Sequence, residues 1–89
     1  MNYIISYDLL ENDNIEKISN EILFISNGSA KLLGSTWIIK HKGKASDIRN
    51  HLGAYIGVDD KLIVIKLRRE AAWTMSLNHE CREWLESYF

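Results

Sequence analysis

The chain has 89 residues, enough for one domain, and its 11 Lys and Arg against 12 Asp and Glu leave a formal net charge of −1. That balance argues against a strongly basic nucleic-acid binder while allowing a local basic patch. With 46% hydrophobic and 26% charged residues the composition is that of a soluble globular protein and not of a disordered one. A domain of this size buries limited apolar surface, so dimerisation would add useful burial. One cysteine, Cys81, excludes an internal disulfide and a cysteine-rich zinc site, and fits a reducing compartment. No apolar run approaches the ~18 residues of a membrane-spanning helix, and the N-terminus lacks a signal-peptide pattern. The expected location is the cytoplasm, without membrane association.

In chain order, Met1-Asn-Tyr-Ile-Ile-Ser-Tyr-Asp-Leu9 reads as a strand rich in β-branched and aromatic residues. Tyr3, Ile5, Tyr7 and Leu9 share one apolar face; Ile4, Ser6 and Asp8 share the other. Asp8 ends the strand, where a carboxylate serves either metal or substrate chemistry or the satisfaction of loop amides. Asp13 followed by Glu16 predicts a capping box. Ile15, Ile18, Ile22 and Ile25 then fall on one face of a helix over 13–26, which Asn27-Gly28 is expected to end through a left-handed cap.

Ser29–Leu33 and Ser35–Lys42 read as strands joined at Gly34-Ser35, either a Gly-first hairpin turn or a bulge in one longer strand. Trp37 is a core anchor. Lys40, Lys42 and Lys44 concentrate positive charge around a loop at one end of the sheet, which is either a solvated loop or a site that attracts phosphate. Ala45–Ile56 reads as a helix with Ile48 and Leu52 on its apolar face, and Gly57 as its C-cap. Lys61–Leu67 is the least ambiguous strand, and both of its faces are largely apolar. Ala71–Met75 is a candidate short extra strand that pairs with a neighbouring subunit. Asn78 is a good N-cap for a last helix carrying Cys81, Trp84, Leu85 and Tyr88 on one stripe, with Cys81 as a small buried hydrophobe.

The order strand, helix, strand, strand, helix, strand points to an α+β, ferredoxin-like βαββαβ fold. Its antiparallel sheet should have the first and third strands in the centre and helices on one face. Residues 1–89 form a single domain, with a C-terminal extension over 70–89 that contains a short helix. Two helices cover one side of such a sheet, and a second copy of the chain is the expected cover for the other. Ile4, Leu62 and Val64 are the candidate dimer interface. The three histidines lack metal-site spacing.

Tyr3-Ile-Ile-Ser-Tyr-Asp-Leu9, Gly34-Ser-Thr-Trp-Ile-Ile39, Ile48-Arg-Asn-His-Leu52, Asp60-Lys-Leu-Ile-Val-Ile65 and Ala71-Ala-Trp73 resemble the small bacterial family labelled SinR-like. That family is similar to the small CRISPR-associated adaptation protein, an endoribonuclease-type protein, and to virulence-associated protein D toxins. The resemblance implies a ferredoxin-like homodimer packed through its sheets. It implies that Asp8 is the metal-binding and catalytic residue, holding Mg²⁺ or Mn²⁺ between subunits, with Ser35 as site support. The Asn78–Phe89 segment lies outside the resemblance, and a near-neutral chain does not fit a duplex-DNA scaffold. Two functions follow. One is a metal-dependent nuclease acting on RNA or DNA through Asp8, with Lys40, Lys42, Arg68 and Arg69 on phosphates. The alternative is a non-catalytic dimeric module that binds nucleic acid or protein.

Overall fold

The alternation read from the first strand is realised residue by residue: Tyr3, Ile5 and Tyr7 are buried, while Ile4, Ser6 and Asp8 are not. A computed structural model describes residues 1–88. In chain order it contains β1 (Asn2–Asp8), α1 (Asn12–Ile25), β2 (Ser29–Leu33), β3 (Thr36–Lys40), α2 (Ala45–Gly53), β4 (Lys61–Lys66) and α3 (His79–Tyr88). The strands make one antiparallel sheet in the order β2-β3-β1-β4, so the first and third strands are central as expected. Ile18 and Ile22 of α1 and Ile48 and Leu52 of α2 join Tyr3, Ile5, Tyr7, Trp37 and Ile39 in one core, which places both helices on one face. Burial of each such aliphatic side chain is worth roughly 1.5–3 kcal/mol. That outweighs the few tenths of a kcal/mol by which isoleucine falls short of the best helix formers, so packing holds α1. The polar tips are satisfied: Trp37 Nε1 donates to the Tyr7 hydroxyl at 3.2 Å, and the Tyr3 hydroxyl donates to the Gly43 carbonyl.

Element ends differ from the sequence reading. The N-cap of α1 is Glu11, without a side-chain cap, so the Asp13–Glu16 box does not form. The helix leaves through Ser26 in extended conformation, and the positive φ of Gly28 (158°) comes two residues later. The hairpin turn sits at Gly34-Ser35, but Gly34 has no positive φ, and the register shift lies inside β2 between Lys31 and Leu33. Helix α2 stops at Gly53, short of the expected Ile56.

The phase of β4 corrects the candidate interface. Asp8 pairs with Lys61, Ser6 with Ile63 and Ile4 with Ile65. Directly opposed residues point to the same side of a sheet. Leu62 and Val64 therefore face the helices and pack against the core, and only Ile4 of the three expected residues lies on the open face. Its neighbours there are Ile63 and Ile65, 53% and 47% exposed.

The open face is also covered differently from the expectation. Helix α3 crosses it from β2 toward β1. The Cys81 thiol donates to the Lys31 carbonyl at 3.0 Å, and Asn2 Nδ2 donates to the Tyr88 carbonyl at 3.2 Å. Leu85 and Ile38, both buried, line the same recess beneath it. Asn78 caps α3 as expected, its Oδ1 accepting from the Cys81 amide at 2.9 Å. Residues 71–75 form no strand. They pass over a recess of about 360 Å³ lined by Trp73, Leu77, Ile4 and Ile38. The chain thus covers the β2–β3 half of the open face with its own tail, and the β4 half stays exposed. Among the described residues no helix is long and apolar enough to cross a membrane.

Candidate nucleic-acid interface and the Asp8 end

Antiparallel pairing gathers side chains that are distant in sequence. Lys40 pairs with Asn2 and Lys66 with Tyr3, while the Leu67 amide donates to the Asn2 carbonyl at 2.9 Å. The start of β1 therefore has the 40–44 loop on one side and Arg68-Arg69 on the other. Lys40, Lys42, Lys44, Lys66, Arg68 and Arg69 lie at this end, Lys40 toward the open face and Lys66 toward the helix face, and are six of the 11 basic side chains. All but the half-buried Lys40 are exposed. Among the described residues none of the six lies within 4.0 Å of a carboxylate, since the ion pairs there belong to His51 with Glu21 and His79 with Glu83.

The loop that carries Lys42 and Lys44 is held in shape. The Gly43 amide donates to His41 Nδ1 at 2.9 Å, and the Lys44 amide donates to Asp47 Oδ2 at 2.9 Å. A Cβ at Gly43 would meet the His41 ring at 2.8 Å and the Asp47 carboxylate at 2.9 Å, so this close approach requires glycine. Asp47 spends its charge on the backbone of its own helix start, which is why its presence does not neutralise the lysines.

Asp8 stands at the other end. β1 has seven residues, and at ~3.4 Å per residue the two ends of the strand are about 20 Å apart. The structure therefore does not bring Asp8 together with Lys40, Lys42, Arg68 and Arg69 in one subunit. Asp8 is exposed and lines a shallow recess with Ser6, Lys61 and Ile63. The Ser6 hydroxyl is engaged by Thr36 Oγ1 at 3.0 Å. Ser35 lies at the Asp8 end, since its carbonyl accepts from the Tyr7 amide at 3.1 Å, but its side chain makes no hydrogen bond to Asp8. Glu11, Asp13, Asp59 and Asp60 share that end, where Lys61 opposite Asp8 is the basic residue, so a chain of near-zero net charge is polarised along its sheet.

Asp60 is the polar residue that sequence reasoning missed. Its carboxylate accepts from the Leu10 amide (2.9 Å), the Gly57 amide (2.7 Å) and Asn14 Nδ2 (3.3 Å), tying the entries of α1 and β4 together. Those donors, led by the Leu10 amide, hold its pKa below the ordinary aspartate value. Two adjacent aspartates, Asp59 and Asp60, leave open in the sequence which carboxylate turns inward. His51 Nε2 meets Glu21 Oε1 at 2.8 Å, tying α2 to α1.

Among the described residues no three His, Cys, Asp or Glu side chains converge, so one chain supplies Asp8 as a single carboxylate. Mg²⁺ is commonly held by one or two carboxylates with water and phosphate oxygens. Asp8 is a hard-oxygen ligand of the kind Mg²⁺ or Mn²⁺ takes, and would hold such an ion with water and phosphate oxygens. No protein-family model matches the sequence, and no curated protein is significantly similar to it.

Proposed function

We propose that this protein is a ferredoxin-like, homodimeric module that binds nucleic acid by holding the sugar–phosphate backbone at its basic end. The observation that carries this reading is that Lys40, Lys42, Lys44, Lys66, Arg68 and Arg69, from two chain segments, all lie at the end of the sheet where β1 starts. Released counterions make such a surface bind phosphates with steep salt dependence. The ferredoxin-like assignment is supported by the strand order β2-β3-β1-β4 and by both crossover helices lying on one face. The homodimer is supported by Ile63 and Ile65, apolar side chains on the half of the open face that α3 leaves exposed, with half-buried Ile4 at their border.

Fluorescence anisotropy with labelled single-stranded RNA, single-stranded DNA and duplex tests the binding. The expected result is micromolar or tighter association that weakens as salt rises. Absence of binding to all three at low salt would overturn the reading. For the dimer, Ile65→Asp should yield folded monomers in light scattering, and an unchanged dimer would place the interface elsewhere.

A second reading, a nuclease, rests on Asp8. Its carboxylate is exposed on the open side of the sheet, beside Ile63, where a second copy would dock. Paired Asp8 side chains would hold Mg²⁺ or Mn²⁺, which when bound activates water and offsets charge on phosphoryl oxygens. The chain's own contribution is to place that carboxylate at the rigid end of a central strand. Cleavage of RNA and DNA with Mn²⁺, lost in Asp8→Asn and on chelation, would support it. Equal cleavage by both proteins would remove Asp8 from the chemistry.

A further inference from the structure

Helix α3 ends at the basic end of the sheet. The Lys40 ammonium lies 4.1 Å from the centre of the Tyr88 ring, and Tyr88 is 52% exposed. Trp84, half-buried one turn earlier, has its ring centroid 5.1 Å from that of Tyr88 at an interplanar angle of 46°. Trp84 also lines a recess of about 460 Å³ between α3, β2 and the end of α1. Ser29, Lys31, Asn78 and Glu80 are the polar residues of that recess. An exposed ring, Tyr88, and a half-buried one, Trp84, thus adjoin both the basic end of the sheet and a recess with mixed donors and acceptors.

We infer that Trp84 and Tyr88 form a base-stacking subsite, and that the nucleic acid bound at the basic end is single-stranded. This rests on the nucleic-acid reading above and names its substrate class. Aromatic rings interleaved with cations are how proteins hold unpaired strands: cations follow the phosphates while bases stack on the rings. In a duplex the base faces are already stacked on one another and unavailable to a side chain. Lys40 links the two functions, since its ammonium shares the Tyr88 ring and sits among the other cations of the basic end. In the recess, the Glu80 carboxylate accepts from exocyclic amino groups of a base, and Ser29 and Asn78 donate to ring nitrogens and carbonyls. Trp37, by contrast, is buried in the core and bonded to Tyr7, so the stacking role falls to α3.

The test compares wild type, Trp84→Leu and Tyr88→Leu for binding of four probes. These are single-stranded RNA, single-stranded DNA, a duplex of the same length and an abasic strand of equal charge. Leucine preserves apolar packing while removing the ring. Circular dichroism confirms that each variant is folded, and the exposed Tyr88 serves if Trp84→Leu fails to fold. The expected result is that each variant loses roughly tenfold or more on single strands, the scale of one lost base stack. Duplex affinity should stay within about twofold, and wild type should bind the abasic strand more weakly than either natural strand. Equal binding of all four probes, unchanged in both variants, would overturn the subsite and leave the basic-end reading intact. Failure of wild type to bind any probe would sink both. A tenfold preference for RNA over DNA would assign the ribose hydroxyl a further contact within the same subsite.

Discussion

The two ends of the sheet are built from the same strands and differ in what their charges do. At the basic end all the cations but half-buried Lys40 are left to solvent, and Asp47, in the first turn of α2, is used on the backbone at that helix's start. At the Asp8 end an acidic side chain is structural: Asp60 fastens Leu10, Asn14 and Gly57, and Asp8 alone stands uncommitted on the open face. About 20 Å along β1 separates them, against a screening length of about 8 Å at physiological salt. Each end therefore acts as its own electrostatic neighbourhood, and net charge says little about either.

The comparison is broken most severely by reversing the basic end. Arg68→Glu with Arg69→Glu should weaken nucleic-acid binding by roughly 100-fold or more at low salt. It should also lower the slope of log affinity against log salt by about 2. Next in size is a test of the core side of β4. Val64→Asp places a carboxylate among Ile5 and its neighbours and should unfold the domain in denaturant titration, costing about 3 kcal/mol or more. Ile65→Asp, one residue along, should leave the melt largely unchanged.

A smaller effect separates the two kinds of carboxylate at the acidic end. The folded-state pKa of Asp60 is depressed, so its stabilising contribution is present above the unfolded aspartate value of 3.8 and is lost as pH falls below it. Wild type should melt higher than Asp60→Asn at neutral pH, and the gap should close as pH falls through the acid range. The smallest effect belongs to Asp8→Asn. In physiological salt it should change affinity at the basic end by no more than about twofold, because the charge lies beyond the screening length. A large loss of affinity would show that the two ends meet across subunits.

Much of the fold was legible because local patterns determine it. Period-two alternation identified β1, isoleucines at helical spacing identified α1, and Asn78 announced α3. The phase of β4 was not legible, because Leu62 and Val64 are as apolar as Ile63 and Ile65 and nothing within the strand prefers one face. Pairing of Asp8 with Lys61 settles it, and that is a property of two strands. The docking of α3 was hidden for a related reason: a stripe with Cys81 and Leu85 says that a helix is buried on one side, not against which surface. Lys40, Lys42, Arg68 and Arg69 are one set in the sequence reading, but what places them at the same sheet end, away from Asp8, is β4 running antiparallel to β1.

Cys81 gives the docked helix a chemical readout. It is the sole thiol, it is buried, and it donates to the Lys31 carbonyl, so a thiol reagent reaches it only when α3 lifts from β2. When lifting and redocking are fast relative to alkylation, the labelling rate measures the population of the lifted state. Modification kinetics in increasing denaturant therefore distinguish a tail that peels away by itself from one that leaves only with the whole domain. In the first case, the protein exists as a two-state clasp over its own sheet, and the reagent counts how often it opens.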